Sequence, residues 1–241
     1  MNEQQPAYVL HSRPWRETSV IADLFTLNDG RVSAIVHGAR KPQGKKPAKQ
    51  ALIQPFTPLM VSFSGGNELR TCVQLDAAGP PLGITGNCLY SGLYANELLL
   101  NLLAAHDPHS RLFAYYQTLL NGLMDNPILE QSLRPFEVHL MDELGYHMVL
   151  DKDYLSAHPV ESEKSYKLVP LQGVCLIDPL QDDSKVPAIS GAILLELAFG
   201  NYTNSQCLKV AKYMARANLN EILGGKPLQS RNFFSGSNTT I

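Results

Sequence analysis

SVIADLFTLNDGRVSAIVHG, residues 19–38, is the stretch that decides the fold. Apolar and β-branched residues flank Asn28-Asp29-Gly30 on both sides. An Asp-Gly pair accepts the backbone angles of a tight hairpin turn, so the stretch predicts two antiparallel strands joined at 28–30. Working outward, YVLHS (8–12), LMVSFSG (59–65) and ELRTCVQLDA (68–77) are further short β-patterned runs, the last two separated at Gly65-Gly66-Asn67. Five short strands with a long connection before the fourth fit a small closed barrel of the OB type. A five-stranded sheet packed on the rest of the chain is the alternative.

GPPLG at 79–83 ends the β pattern and helical spacing takes over. Leu89, Leu93, Leu98 and Leu102 mark one helix. Leu112, Tyr115, Tyr116 and Leu119 mark a second, starting near Ser110. Leu133, Phe136, Leu140 and Leu144 mark a third that Gly145 ends, with Pro135 leaving its start open. Residues 146–187 are irregular apart from a hairpin from YKLVPL to GVCLID. Ser190 is read as the cap of an AILLELAF helix, and a long helix runs from about Ser205 to Leu223, stopped by Gly224-Gly225. The expected class is α+β: an OB-fold barrel over residues 1–80, then a helical domain over 81–241 with an irregular insertion at about 146–187.

The formal net charge of the 241-residue chain is only −2, which hides an uneven distribution. Residues 1–70 carry a net +4, residues 71–204 a net −10, and residues 205–241 a net +4. Two basic ends around an acidic middle point to an anionic partner for the first module. The densest basic run is RKPQGKKPAK (40–49), five cations without an acid. Proline and glycine keep it out of regular structure, as an exposed loop that attracts phosphates or merely solvates the surface. Cys72, Cys88, Cys175 and Cys207 form no C-x-x-C pair and read as reduced thiols of a cytoplasmic protein. No signal-peptide pattern and no membrane-spanning apolar run is present in the sequence.

No P-loop, G-x-G-x-x-G, H-E-x-x-H or G-x-S-x-G occurs, so neither an enzyme nor a cofactor is expected. His106 and His109 flank Asp107-Pro108 in a helix-connecting turn, and His147, His158 and Cys175 are too widely spaced to indicate zinc. Asp142-Glu143 and Asp182-Asp183 are adjacent pairs, read as solvated faces rather than acid–base partners. Nucleic-acid binding is better supplied. The candidate phosphate contacts are Arg13, Arg16, Arg31, Arg40, Lys41, Lys45, Lys46 and Lys49, with Lys226 and Arg231 near the C-terminus. Tyr8, Trp15, Phe25, Phe56 and Phe63 are candidate stacking rings, and Trp15, between Pro14 and Arg16, is the one expected at the surface. Lys209, Lys212 and Arg216 share one face of the last helix, either as part of that surface or as a polar face. Arg134 is placed near the start of the third helix, where backbone N–H groups favour an anion; an internal salt bridge is its other role.

Six blocks carry a family resemblance: YVLHSRPWRETS, LFTLNDGRVSAIVHGARK, LIQPFTPL, LYSGLYANELL, LRPFEVHLMDELGY and LGGKPLQSR. In order, from about residue 7 to 234, they resemble the RecO family of bacterial recombination mediators. The resemblance implies an OB-fold followed by a helical domain. It also implies binding to single- and double-stranded DNA, annealing of complementary strands, and action with RecR to load RecA onto SSB-coated DNA. It gives the acidic, Phe-ended SSB tail to the L-R-x-F block, here Leu133, Arg134 and Phe136, and DNA to the basic loop. Some branches carry paired C-x-x-C motifs in the insertion and bind zinc; this chain offers only Cys175 there, so no metal is expected. Pro135 is a further departure, since that position is more usually not proline. Two other readings are an OB-fold protein-interaction scaffold and an RNA-binding OB protein.

Overall fold

The computed structural model describes residues 3–41, 49–66, 68–125, 129–178 and 186–234. Five strands come first: β1 (Gln5–Trp15), β2 (Ser19–Thr26), β3 (Gly30–Val36), β4 (Leu59–Ser64) and β5 (Leu69–Ala77). They close into a barrel in the order β1-β2-β3-β5-β4, with β4 pairing back onto β1 and β3 parallel to β5. This is the OB-type barrel expected. The 28–30 hairpin lies where the sequence places it, with Thr26 opposite Gly30 and Gly30 at φ 64°. Inward positions of the five strands, among them Val9, Leu24, Val32, Ala34, Val61 and Leu75, form one core with Ala39 and Ile53 from the β3–β4 connection. Each fully buried Val, Leu or Ile contributes about 1.5–3 kcal/mol, so this alternation is what sets the register.

Two helices, α1 (Gly86–Leu102) and α2 (Ser110–Asp125), pack on the barrel and share a compact unit with it, residues 1–127 and 228–241. Asn96 ties them together. Its amide donates to the carbonyls of Val9 (3.4 Å) and Leu10 (3.2 Å), where a bulge interrupts the β1–β2 register, and its carbonyl accepts from the Tyr116 hydroxyl at 2.6 Å. Burial, reinforced by Tyr8, holds the Tyr116 pKa well above its ordinary value, which keeps it a donor. Tyr8, Phe25, Phe113 and Tyr116 pack around this bond in tilted and edge-to-face pairs at centroid separations of 5.3–5.9 Å. Gly92 lets α1 approach closely, since a Cβ there would stand 2.7 Å from the Phe56 ring. The chain returns to this unit at its end. The Glu97 carboxylate on α1 accepts from the backbone N–H of Gln229 (2.7 Å) and Ser230 (2.8 Å) and from the Ser230 hydroxyl (2.5 Å). Tyr90 stacks on Phe233, which lies in the closing 3-10 turn Gln229–Phe234.

The second unit, residues 128–227, holds α3 (Leu129–Glu143), β6 (Ser165–Val169), β7 (Gly173–Leu176), β8 (Ile189–Ser190), α4 (Gly191–Ala198) and α5 (Ser205–Ile222). The hairpin expected in the insertion is β6–β7, and β8 completes a three-stranded sheet in the order β7-β6-β8. Asp153 organises the loop before it. Its carboxylate accepts from the backbone N–H of Leu155 (2.9 Å), Ser156 (2.8 Å) and Leu176 (2.6 Å) and from the Ser156 hydroxyl (3.0 Å). Two local readings need correction. Ser190 occupies the N-cap position of α4, but its side chain makes no capping bond, and the first amides of the helix, Gly191 and Ala192, donate instead to the carbonyls of Lys164 (2.8 Å) and Ser162 (3.2 Å). Helix α3 includes Pro135 in its interior, so Arg134 lies in the second turn, beyond the free N–H groups of the helix start.

Candidate nucleic-acid interface

One end of the barrel gathers most of the cations singled out from the sequence. The β1–β2 turn, Arg16–Thr18, and the end of β3 meet there, because Val20 pairs with both Pro14 and Val36. The Arg40 amide donates to the Thr18 carbonyl at 2.9 Å, and the Gln50 amide donates to the Ala39 carbonyl at 2.9 Å. Those two bonds pin both ends of the basic run beside the turn. Arg13, Arg16, Arg40 and Lys41 are exposed, and Lys49 is half-buried. Lys45 and Lys46 lie outside the described residues. Buried Asp23 steadies Arg13 at 3.4 Å and accepts from the Ser33 hydroxyl at 2.5 Å. Burial pushes the Cys72 thiol up to about 11 against the opposing pull of Lys49.

The rings sort cleanly at the same place. Tyr8, Phe25, Phe56 and Phe63 are at most 7% exposed and belong to the interior, whereas Trp15 is 38% exposed at the end of β1. Arg16 adopts a left-handed φ of 52°, and its guanidinium lies over the Trp15 ring, 6.0 Å from the centroid.

Arg31 does not join this cluster. It begins β3 at the opposite end of the barrel, where its Nε donates to the Leu103 carbonyl at 2.9 Å. Near the C-terminus, Arg231 is half-buried in the closing 3-10 turn, while Lys226 is exposed. On α5, Lys209 is exposed, but Lys212 donates to Glu130 on α3 at 3.1 Å, and burial lowers its pKa despite that partner.

The L-R-x-F block faces inward. Leu133, Arg134 and Phe136 are 0%, 1% and 2% exposed. The Arg134 Nη1 donates to the Glu137 carboxylate at 2.5 Å, and Nη2 lies 3.8 Å from Glu130. Its Nε and Nη2 are buried without a hydrogen-bond partner. Pro135, Val138, His139 and Asp142, on the other side of α3, line a groove of about 710 Å³ with residues 147–152 and the end of α4. Phe199, 89% exposed, stands on its rim. Sequence spacing misses this groove, because residues 135–152 meet a wall at 195–202 that lies more than forty positions further along the chain.

No group of three or more His, Cys, Asp or Glu suited to a metal occurs among the described residues. His147 pairs with Asp142 at 2.9 Å, and the buried Cys175 thiol donates to the Leu176 carbonyl. His109 pairs with Asp107 in the α1–α2 connection at 3.5 Å. The Asp182-Asp183 pair lies outside the described residues. No helix among the described residues is long and apolar enough to cross a membrane.

The fold defines the class: an OB-type barrel, here with cations beside an exposed tryptophan, an arrangement that nucleic-acid-binding modules of this class use. Comparison with known proteins makes the assignment particular. Residues 1–80 match the family model for the recombination protein O N terminal and residues 85–220 that for the C terminal. The DNA repair protein RecO of Pseudoalteromonas atlantica is 40% identical, over 96% of this chain and 94% of the relative. That of Stutzerimonas stutzeri is 41% identical over 95% and 92%, and that of Coxiella burnetii 38% over 94% and 95%. The chain belongs to the RecO family.

Proposed function

We propose that this chain is a recombination mediator of DNA repair that holds DNA at the basic end of its barrel. The observation that carries this reading is the convergence of Arg13, Arg16, Arg40, Lys41 and Lys49 around the β1–β2 turn in a chain of the RecO family. Such contacts bind phosphates without reading sequence, so single strands and duplexes are both ligands. Holding two strands by their backbones leaves the bases free to pair, which is what annealing requires. Lys45 and Lys46, outside the described residues, are proposed as phosphate contacts from the sequence, as are Lys226 and Arg231. The role involves no turnover, and it places the protein at the nucleoid.

The helical region is the proposed site for the acidic, Phe-ended tail of SSB, through which the chain acts with RecR to promote RecA loading. The 710 Å³ groove offers Pro135, Val138 and Phe199 to the terminal phenylalanine. Arg134 acts on this reading from beneath, with Leu133 and Phe136 setting the position of the α3 wall. Its two unpartnered nitrogens are what a carboxylate would satisfy if α3 shifts on binding.

Fluorescence anisotropy of a labelled single strand across salt tests the DNA-binding surface. Lys45, Lys46 and Lys49 changed together to Ala should weaken binding at low salt and flatten the log–log salt slope by about 0.7 for each phosphate that is no longer neutralised. An unchanged affinity and slope would remove the loop from the interface.

A further inference from the structure

We propose that Trp15 is a capture platform for one unpaired nucleobase, which lets the barrel end tell single strand from duplex. The inference rests on the DNA-binding reading above and adds an interaction that charge alone does not supply. Trp15 has the only ring, among those singled out as stacking candidates, that the barrel leaves at its surface. An exposed indole at a strand end is not there to fill the core, whose interior is complete without it. Arg16 covers one face of the ring from a left-handed backbone position that an L-residue enters only at a cost. The guanidinium thus lies beside the indole, where it can meet the phosphate of the nucleotide whose base lies on the other face.

The surroundings fit a nucleotide rather than a peptide. Arg13 flanks the ring from β1, and Arg40 is tied to the same turn through Thr18, so phosphates on either side of a stacked base meet positive charge. A shallow depression of about 140 Å³ adjoins, lined by Arg13, Pro14, Gln50 and Gln54 among others. Its amide side chains offer both donors and acceptors to a base edge. A base in a duplex keeps its faces covered by its neighbours and cannot lie on Trp15. The platform therefore discriminates by pairing state and not by sequence, as stacking sites do.

Trp15 is the single tryptophan of the chain, so intrinsic emission reports on this site alone. Full-length protein is titrated with an oligothymidylate, with a duplex of equal length, and with an abasic strand, while anisotropy of a labelled strand follows binding independently. The base-bearing single strand should quench Trp15 emission; the duplex and the abasic strand should bind without quenching it. Trp15→Ala should lower single-strand affinity about tenfold and leave duplex affinity within twofold, and Trp15→Phe should restore most of the loss. Thermal melts verify that both variants fold. Single-strand binding with unchanged emission, or equal loss of both ligands in Trp15→Ala, would overturn the platform while leaving the DNA reading intact. Absence of any strand binding by anisotropy would overturn both.

Discussion

Arg134 and Glu137 are side chains that water does not reach, at 1% and 0% exposure, on one turn of α3. Their attraction in that environment is offset by the cost of drying both charges, so the pair as a whole adds little to stability. Breaking it is a different matter. Glu137→Ala leaves a guanidinium buried with no counter-ion but half-buried Glu130 at 3.8 Å, and should cost about 3–5 kcal/mol in urea denaturation. Arg134→Met combined with Glu137→Leu should recover most of that loss; if the double variant is as unstable as the single one, the pair is not what holds this turn. The same buried pairing bears on the proposed site for the SSB tail. Arg134→Ala should weaken a tail peptide while leaving DNA affinity nearly unchanged, and an equal loss of both would mean that the fold, not the tail site, was damaged. Sequence names Arg134 as either an anion contact or an internal salt bridge; it does not show that the side chain points inward. The deciding partner is three residues away, but burial depends on packing that no local pattern encodes.

Elements built from local signals are legible in the sequence, and those built from distant partners are not. The 28–30 hairpin is legible because Gly30 answers a need of the turn itself, and β6–β7 because strand alternation is local. The start of α3 is not, since Pro135 fits either the first turn or the interior of a longer helix, and only the fold, with a helix beginning at Leu129, decides for the second. Arg31 reads as a phosphate contact from sequence, and no local pattern shows that the fold also gives its Nε a carbonyl acceptor from Leu103, far along the chain. The insertion shows the same dependence. Its loop is ordered by Asp153, which burial would push up in pKa but which hydrogen bonds from Ser156, Leu176 and Leu155 draw below the usual carboxylate value. A lowered folded pKa means that the unfolded chain takes up the proton first as pH falls. The stabilisation is therefore complete above the ordinary Asp value of about 4 and disappears as pH drops through the folded value. Asp153→Asn should accordingly be less stable than the parent at pH 7, with the gap closing below about pH 4. A gap independent of pH in acid-titration melts would show that the carboxylate charge is not what orders the loop.

At the scale of the molecule, charge and compactness divide the chain differently. Basic residues concentrate in the barrel and near the C-terminus, a division visible in the sequence alone. Compactness instead joins the barrel to α1, α2 and the closing turn, through Asn96, Tyr116 and the Glu97 carboxylate. Those bonds unite residues from 20 to 133 positions apart, beyond any periodicity in the sequence. Glu97→Ala should release the closing turn and cost about 2 kcal/mol, seen as faster amide exchange at Gln229 and Ser230 with the barrel core unchanged. Loss of protection throughout the barrel would mean that the returning segment supports the whole unit. On the proposed function the basic barrel end is the working surface, and its cations and Trp15 should be where a strand lies. Ultraviolet cross-linking of a single strand to the full chain, followed by mass spectrometry of the nucleotide-bearing peptides, tests that most directly. Adducts are expected in peptides spanning residues 11–18 and 40–50; adducts confined to α5 and the insertion, with none at the β1–β2 turn, would rule out DNA binding at the barrel end.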